Sequence, residues 1–333
     1  MDSSNRHRSF FWPIILIGVG IVWLLVNLNI IAAVNIESLF NLWPVILIVI
    51  GLDLLLGHRN AWVGAAVGVL TVAAVVGFLV YGPALGWTTA SASDARVETF
   101  STPLDKATSA NYVFDLSSQH VSIHSLDNSS NLIEAVIGHT GTIDYAVTGT
   151  DRKSVYISQV SNPSSWFSFN LSLQNLTWDL ALNPTVPASL TIDGGSGSVS
   201  ADLSDLKLKS LIASMGSGSS EFVLPQSSQT YTATIESGSG SITVSLPSST
   251  AMTLEMNSGS GSVNINLPSN AQVRVEVLDS GSGSLNIPSD LVHAGGSFDV
   301  QGTGTWQTSG YDTAASKILI RIAGRGSGSV NIR

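Results

Sequence analysis

The sequence predicts two regions of different fold class: an N-terminal α-helical membrane region of three transmembrane helices, then an all-β C-terminal domain built as a single-layer β-solenoid. Three observations carry this. The first 85 residues hold three long apolar runs with almost no charge. A Gly-Ser-Gly-Ser tetrapeptide then recurs at intervals of 21–22 residues, and between its copies apolar and polar residues alternate with period two.

The charge of the 333-residue chain is as uneven as its hydropathy. Arg6, Arg8 and Arg59 balance Asp2, Glu37 and Asp53 before residue 85, so the net charge of −9 belongs to the remainder. An acidic, charge-poor surface repels phosphate backbones and removes the term on which nucleic-acid affinity depends. Nucleic acid is therefore not an expected partner. The absence of cysteine excludes a disulfide framework, a thiolate nucleophile and a Cys-ligated metal.

The membrane region is expected over residues 1–86, with spans at about 10–34, 39–56 and 61–85. No charge occurs between Arg8 and Glu37, a stretch longer than the ~20 apolar residues that cross a bilayer core. Three such runs in succession leave no polar face from which to build a soluble fold. The first run is too long for a signal-peptide core and has no small-residue cleavage site after it; the Ala-Ser-Ala at 90–92 falls in the 87–94 linker. Arg6 and Arg8 before the first span, and Arg59 before the third, place the N-terminus in the cytoplasm and the C-terminal domain outside. Trp12, Trp43, Trp62 and Trp87 stand near span ends, where an indole prefers the interface. Asp53 lies close enough to the end of its span to reach the headgroups. No ionisable residue in another span offers it a relay, so a transport role is not expected.

The first two runs repeat each other. WPIILIGVG at 12–20 and WPVILIVIG at 43–51 align without gaps, with proline in the first turn, where a helix has spare donors. This doubled Trp-Pro pattern, over about residues 8–56, resembles the LiaI/LiaF-like transmembrane region of bacterial membrane proteins. The resemblance implies an association with cell-envelope stress.

The tetrapeptide begins at Gly195, Gly216, Gly238, Gly259, Gly281 and Gly326, with a Gly-Thr-Gly-Thr variant at Gly302. A flexible Gly/Ser linker would share this composition, but not the alternating residues after each copy. Ile242, Val244 and Leu246 alternate with polar residues, as do Val263, Ile265 and Leu267; later in the unit come Met252, Leu254 and Met256, and Val273, Val275 and Val277. Such alternation marks half-buried strands. Pro225, Pro247 and Pro268 end three of them, because proline lacks the donor a ladder needs.

Each unit thus reads as strand, turn, strand and a Gly-rich turn. It buries its apolar face only by stacking on neighbours. Seven rungs in sequence order, ~4.8 Å apart, give a stack of about 29 Å. Residues 193–333 form the regular repeats and 95–192 a β-rich segment of degenerate rungs and cap; the less regular 95–190 and 311–333 are expected to cover the two ends. Trp178, Leu180, Pro184, Pro187, Leu190, Asp202, Leu203 and Leu206, with the Gly-Ser turns, resemble the bacterial adhesin-like "toastrack" β-domain over most of 111–333. That resemblance implies an extracytoplasmic β-solenoid and carries over no agreed chemistry.

Searches for chemistry return little. The tetrapeptides lack a G-x-G-x-x-G followed by a helix and a Gly-Lys-Ser/Thr, so phosphate binding is not expected. Asp279-Ser280-Gly281 matches a short aspartic-protease signature, yet that chemistry needs two facing carboxylates, and the tripeptide reads as a turn. His120 and His124 share a strand face and His139 comes later, but surface histidines are commoner than an incomplete metal site. Trp166, Phe167, Phe169 and Trp178 form either a carbohydrate- or partner-binding patch or, as is more usual for aromatics, a packed cap.

No catalytic, cofactor-binding or metal-binding residue is assigned, and no enzyme is expected. The reading is a membrane-anchored, non-enzymatic interaction module of the bacterial cell envelope. Its expected partners are the lipid bilayer and a membrane sensor protein or cell-wall polymer. The alternative is a surface adhesin that binds glycans or other cells.

Overall fold

The computed structural model describes residues 11–27, 47, 51, 61–81, 96–117, 119–160, 176–279, 281–295 and 302–333. Two compact units are present, a helical one within the first 94 residues and a β unit from residue 95 onward.

In the helical unit, α1 (Phe11–Asn27) and α2 (Ala61–Tyr81) pack together. Small residues bring them close. A β-carbon on Gly18 would overlap the Val72 side chain, and Gly68 is buried; small residues allow such approach where both helices are apolar throughout. Among the described residues no helix is long and apolar enough to cross a membrane. The 17 residues of α1 span about 26 Å against a core of about 30 Å, and the described side chains of α2 run only from residue 66 to 77. The expected second span, 39–56, and Asp53 within it lie outside the described residues, apart from positions 47 and 51.

Among the described residues the β unit holds 21 strands in two sheets. Four regular rungs form its middle: β8 (Ala188–Gly194) with β9 (Ser198–Asp202), β10 (Leu208–Met215) with β11 (Ser220–Val223), β12 (Tyr231–Ser237) with β13 (Ser241–Ser245), and β14 (Met252–Ser258) with β15 (Ser262–Asn266). The first strand of each pairs in parallel with the first strand of the next rung, and the second with the second. The strands after the Gly-Ser turns end two residues before Pro225, Pro247 and Pro268. Inward rows run along the stack, such as Leu190, Leu211, Ala233 and Leu254 in one sheet and Ala201, Phe222, Val244 and Ile265 in the other, all buried.

Two expectations need correction. The first is the single layer. Both strands of a rung carry an apolar inward row, so they close on each other and one core lies between two facing sheets. The second is the order of the rungs. The last rung in the sequence, β20 (Ile318–Gly324) with β21 (Ser329–Ile332), does not cover the end. It lies between the β14–β15 rung and the rung of β16 (Val273–Val277) and β17 (Leu285–Asn286). The Gly302 variant makes no rung either. It leads into β19 (Gly304–Gln307), which runs antiparallel on β16 and, with β18 (Val292–Gly295), covers that edge.

Charge explains the insertion. Glu255 of β14 and Glu276 of β16 both face Arg321 of β20, at 3.2 and 3.3 Å. Stacking in sequence order would set the two carboxylates side by side, and like charges directly opposite destabilise a strand pair.

The N-terminal end has the same plan. The rung of β2 (Ser109–Leu116) and β3 (His120–Ser125) stacks directly on β8–β9, while β6 (Arg152–Val160) and β7 (Thr177–Leu182), later in the chain, lie outside it. Antiparallel β1 (Arg96–Pro103), β4 (Asn131–His139) and β5 (Thr142–Thr148) complete the covering. The β-rich segment expected over 95–192 thus holds both kinds of element, with β2–β3 a rung and β4 part of the cap.

Candidate functional site

The Gly-Ser turns form one corner of the stack, and they need glycine mainly because successive turns touch. A β-carbon on Gly218 would overlap the carbonyl oxygen of Gly197; Gly240 stands in the same relation to Gly218, and Gly261 to Gly240. Hydrogen bonds continue around the corner, with Gly238 N–H donating to the Met215 carbonyl at 2.7 Å and Gly259 N–H to that of Ser237 at 2.7 Å. The amides are consumed by the neighbouring rung. A phosphate cradle is not what these turns form.

Two solvent-facing features arise from the register. The sheet ordered β3-β9-β11-β13-β15-β21-β17 presents an outward row of Ser122, Ser200, Glu221, Thr243, Asn264, Asn331 and Asn286, one per rung. Towards the C-terminal end it becomes a hydrogen-bonded ladder. Asn286 donates to Asn331 at 2.6 Å and Asn331 to Asn264 at 3.1 Å, while Ser329 donates to Ser262 at 3.1 Å and Asn266 to Ser245 at 3.2 Å. The amides are held as a flat array at the rung spacing of ~4.8 Å.

The second feature is an open groove of about 400 Å³ beside the Gly-Ser corner, on the side of the opposite sheet. Asp193, Ser214, Glu236 and Asn257 line it from successive rungs, with Met215, Ser237 and Ser258 beneath. The Asp193 and Glu236 carboxylates are exposed and have no protein partner among the described residues. Ser258 Oγ donates to the Arg325 carbonyl at 3.0 Å, whereas Ser237 Oγ is buried without a partner.

The histidines do not converge. His120 is exposed and contacts Ser198 Oγ; His124 on the same face pairs with Asp179 at 2.9 Å. Burial of the His124 ring lowers its pKa, but hydrogen bonds to the Ser125 carbonyl and the Asp179 carboxylate, with Asp127 farther off, leave it raised above the ordinary histidine value. His139 is 1% exposed, on the inward side of β4 and 3.4 Å from Glu98. Among the described residues no group of three histidines or carboxylates is placed to hold a metal.

Trp178 is fully buried and donates to the Gly138 carbonyl at 3.2 Å, so it belongs to the core. Trp166, Phe167 and Phe169 lie outside the described residues, as does Ser280. Asp279 is exposed at the turn before Gly281, whose φ of 46° suits glycine. Sequence reasoning missed Ser237 and the groove: a serine among inward positions held elsewhere by Gly194, Met215 and Ser258 gives no periodic signal.

Comparison with known proteins finds two families along the chain. Residues 10–55 match the LiaI-LiaF-like transmembrane region, and residues 91–245 match the N-terminal domain of toast_rack. Among solved structures, a proposed cell adhesion protein from Clostridium sporogenes is similar at 19% identity and a TM-score of 0.45, with 72% of this chain and 98% of that one covered. A proposed adhesin from Bacteroides fragilis is similar at 12% identity and a TM-score of 0.33, covering 72% and 97%. No curated protein matches. The chain thus resembles a LiaI-LiaF-like transmembrane region over residues 10–55 and, after it, the N-terminal domain of toast_rack over residues 91–245.

Proposed function

We propose that the β unit is a non-enzymatic interaction module, held outside the membrane by three N-terminal spans, that contacts a membrane sensor protein or a cell-wall polymer in envelope-stress sensing or its regulation. The supporting observation is the outward row of Thr243, Asn264, Asn331 and Asn286, in which the three asparagine side chains are hydrogen-bonded to one another. A pre-ordered row of donors and acceptors loses little entropy when a partner binds. The transmembrane-region match supports membrane association, and the basic residues Arg6, Arg8 and Arg59 support a cytoplasmic N-terminus.

Photo-crosslinking in intact cells tests this reading. A crosslinker at Thr243 or Asn264 is expected to capture envelope protein or wall polymer. No capture from either position contradicts it. Products formed only when cells adhere to one another would favour adhesion instead. Impermeant thiol labelling of Ser239→Cys but not Ser4→Cys is expected for the orientation; the reverse contradicts it.

A further inference from the structure

We propose that the groove beside the Gly-Ser corner is a binding site for an extended basic peptide segment, whose cationic side chains are taken by Asp193 and Glu236 while the buried Ser237 hydroxyl receives a polar group of the ligand. The site lies on the opposite sheet from the amide ladder and is independent of the reading given to that ladder.

The charge of the groove comes first. It is rich in acceptors, and none of its lining residues is cationic. Its two carboxylates are exposed and lack protein partners among the described residues. A ligand that brings ammonium or guanidinium groups would find them free, and the net charge of −9 favours its approach.

Ser237 is the second and independent sign. Its side chain is 7% exposed, its Oγ has no hydrogen bond, and it lines the groove. A buried hydroxyl is normally satisfied. The equivalent hydroxyl one rung on, Ser258, already has the Arg325 carbonyl, so the unmet bond belongs to Ser237 and not to the repeat. Glycines at 194, 216, 238 and 259 remove side chains from the wall, which lets a ligand backbone come near.

Spacing selects a peptide. Asp193 and Glu236 are two rungs apart, with Ser214 between them, or roughly 10 Å at the usual strand separation, and a peptide in the extended polyproline II form, with three residues per turn, rises about 9 Å before a side chain returns to the same face. Basic residues at every third position would therefore meet both carboxylates. A glycan would have no ring to stack on, because no aromatic residue lines the groove.

The test uses the full chain in nanodiscs of zwitterionic lipid and a labelled peptide with lysine at every third position, read by fluorescence anisotropy. Saturable binding is expected, weakened about tenfold or more by Asp193→Asn with Glu236→Gln, as for paired charges in an interface. Glu221→Gln removes the same charge from the other sheet and should leave binding unchanged. Ser237→Ala should weaken binding several-fold while Tm stays level or rises, because the variant deletes an unsatisfied buried hydroxyl. Lysine at every second position should bind less well. Equal weakening by Glu221→Gln, full binding by Ser237→Ala, or tighter binding of a chitosan oligomer at these residues would overturn the proposal. If the double carboxylate variant fails to fold, Ser237→Ala and Glu236→Gln alone still decide it.

Discussion

The middle of the β unit and its two ends are made from the same repeat but assembled by different rules. From β8 to β15, each rung stacks on the one before it in the chain. At either end a rung is tucked in out of order, β2–β3 beneath β6–β7 and β20–β21 beneath β16–β17. The first and last rungs of the domain therefore have neighbours on both sides, and intermediate segments do the covering. Contacts local in sequence suffice to build the middle. The ends depend on pairings between distant segments, which carry more loop-closure entropy and form more slowly.

The largest test of that difference is deletion of residues 316–333. It removes Ile318, Ile320, Ile322, Val330 and Ile332, all buried, at roughly 1.5–3 kcal/mol each, a loss comparable with a typical domain stability of about 5–15 kcal/mol and concentrated at the C-terminal end. Limited proteolysis should then cut everywhere after Asn266 while β8 to β13 persist, since repeat arrays fail locally. Uniform resistance would show that the last rung is dispensable.

Within the middle, glycine contacts set the next scale. Gly240→Ala pushes a methyl group into the Gly218 carbonyl and should cost about 1–3 kcal/mol, read as a lower urea midpoint. Gly295→Ala, with nothing within 4 Å, should change the midpoint little. Equal effects would mean that the turns do not touch.

Reversing the charge at the tucked rung is expected to cost less. Arg321→Glu places three carboxylates in a row across β14, β20 and β16, a loss of about 1–2 kcal/mol summed over two opposed pairs, partly recovered at high salt. Charge reversal without loss would remove the stated reason for the rung order.

The smallest effect is a pH dependence at the covered N-terminal end. The His124 pKa is raised in the folded state, so its contribution is full below the unfolded value of ~6.5 and disappears as pH rises through the higher folded value. Both partners are about half exposed, which limits the contribution to ~0.5 kcal/mol after screening. Asp179→Asn should reduce the dependence in denaturation curves taken on either side of that pH, the Ser125 carbonyl and Asp127 being still in place.

Legibility in the sequence divides along the same line. Alternation around Ile242, Val263 and Met252 and the closely spaced tetrapeptides specify strands and corners that depend on near neighbours. The place of β20–β21 does not show, because Gly326 continues the same tetrapeptide series as Gly281, and only the Glu255–Arg321–Glu276 row separates the two. Gly302 and Gly304 look like one more corner, yet their φ values of 77° and 155° belong to the lead into a covering strand. The amide ladder was legible as polar alternation. The groove was not, since Ser237 differs from its neighbour Ser258 only in lacking a hydrogen-bond partner.

Engineered disulfides test the tucked order most directly, because the native chain has no cysteine. Asn264 and Asn331 are direct cross-strand partners, and Asn331 separates Asn264 from Asn286. Adjacent parallel strands bring Cα atoms within the ~4.4–6.8 Å that a disulfide spans, and strands two apart do not. The account predicts rapid oxidation of Asn264→Cys paired with Asn331→Cys, and none of Asn264→Cys paired with Asn286→Cys. Crosslinking of the second pair and not the first would show that the rungs stack in sequence order.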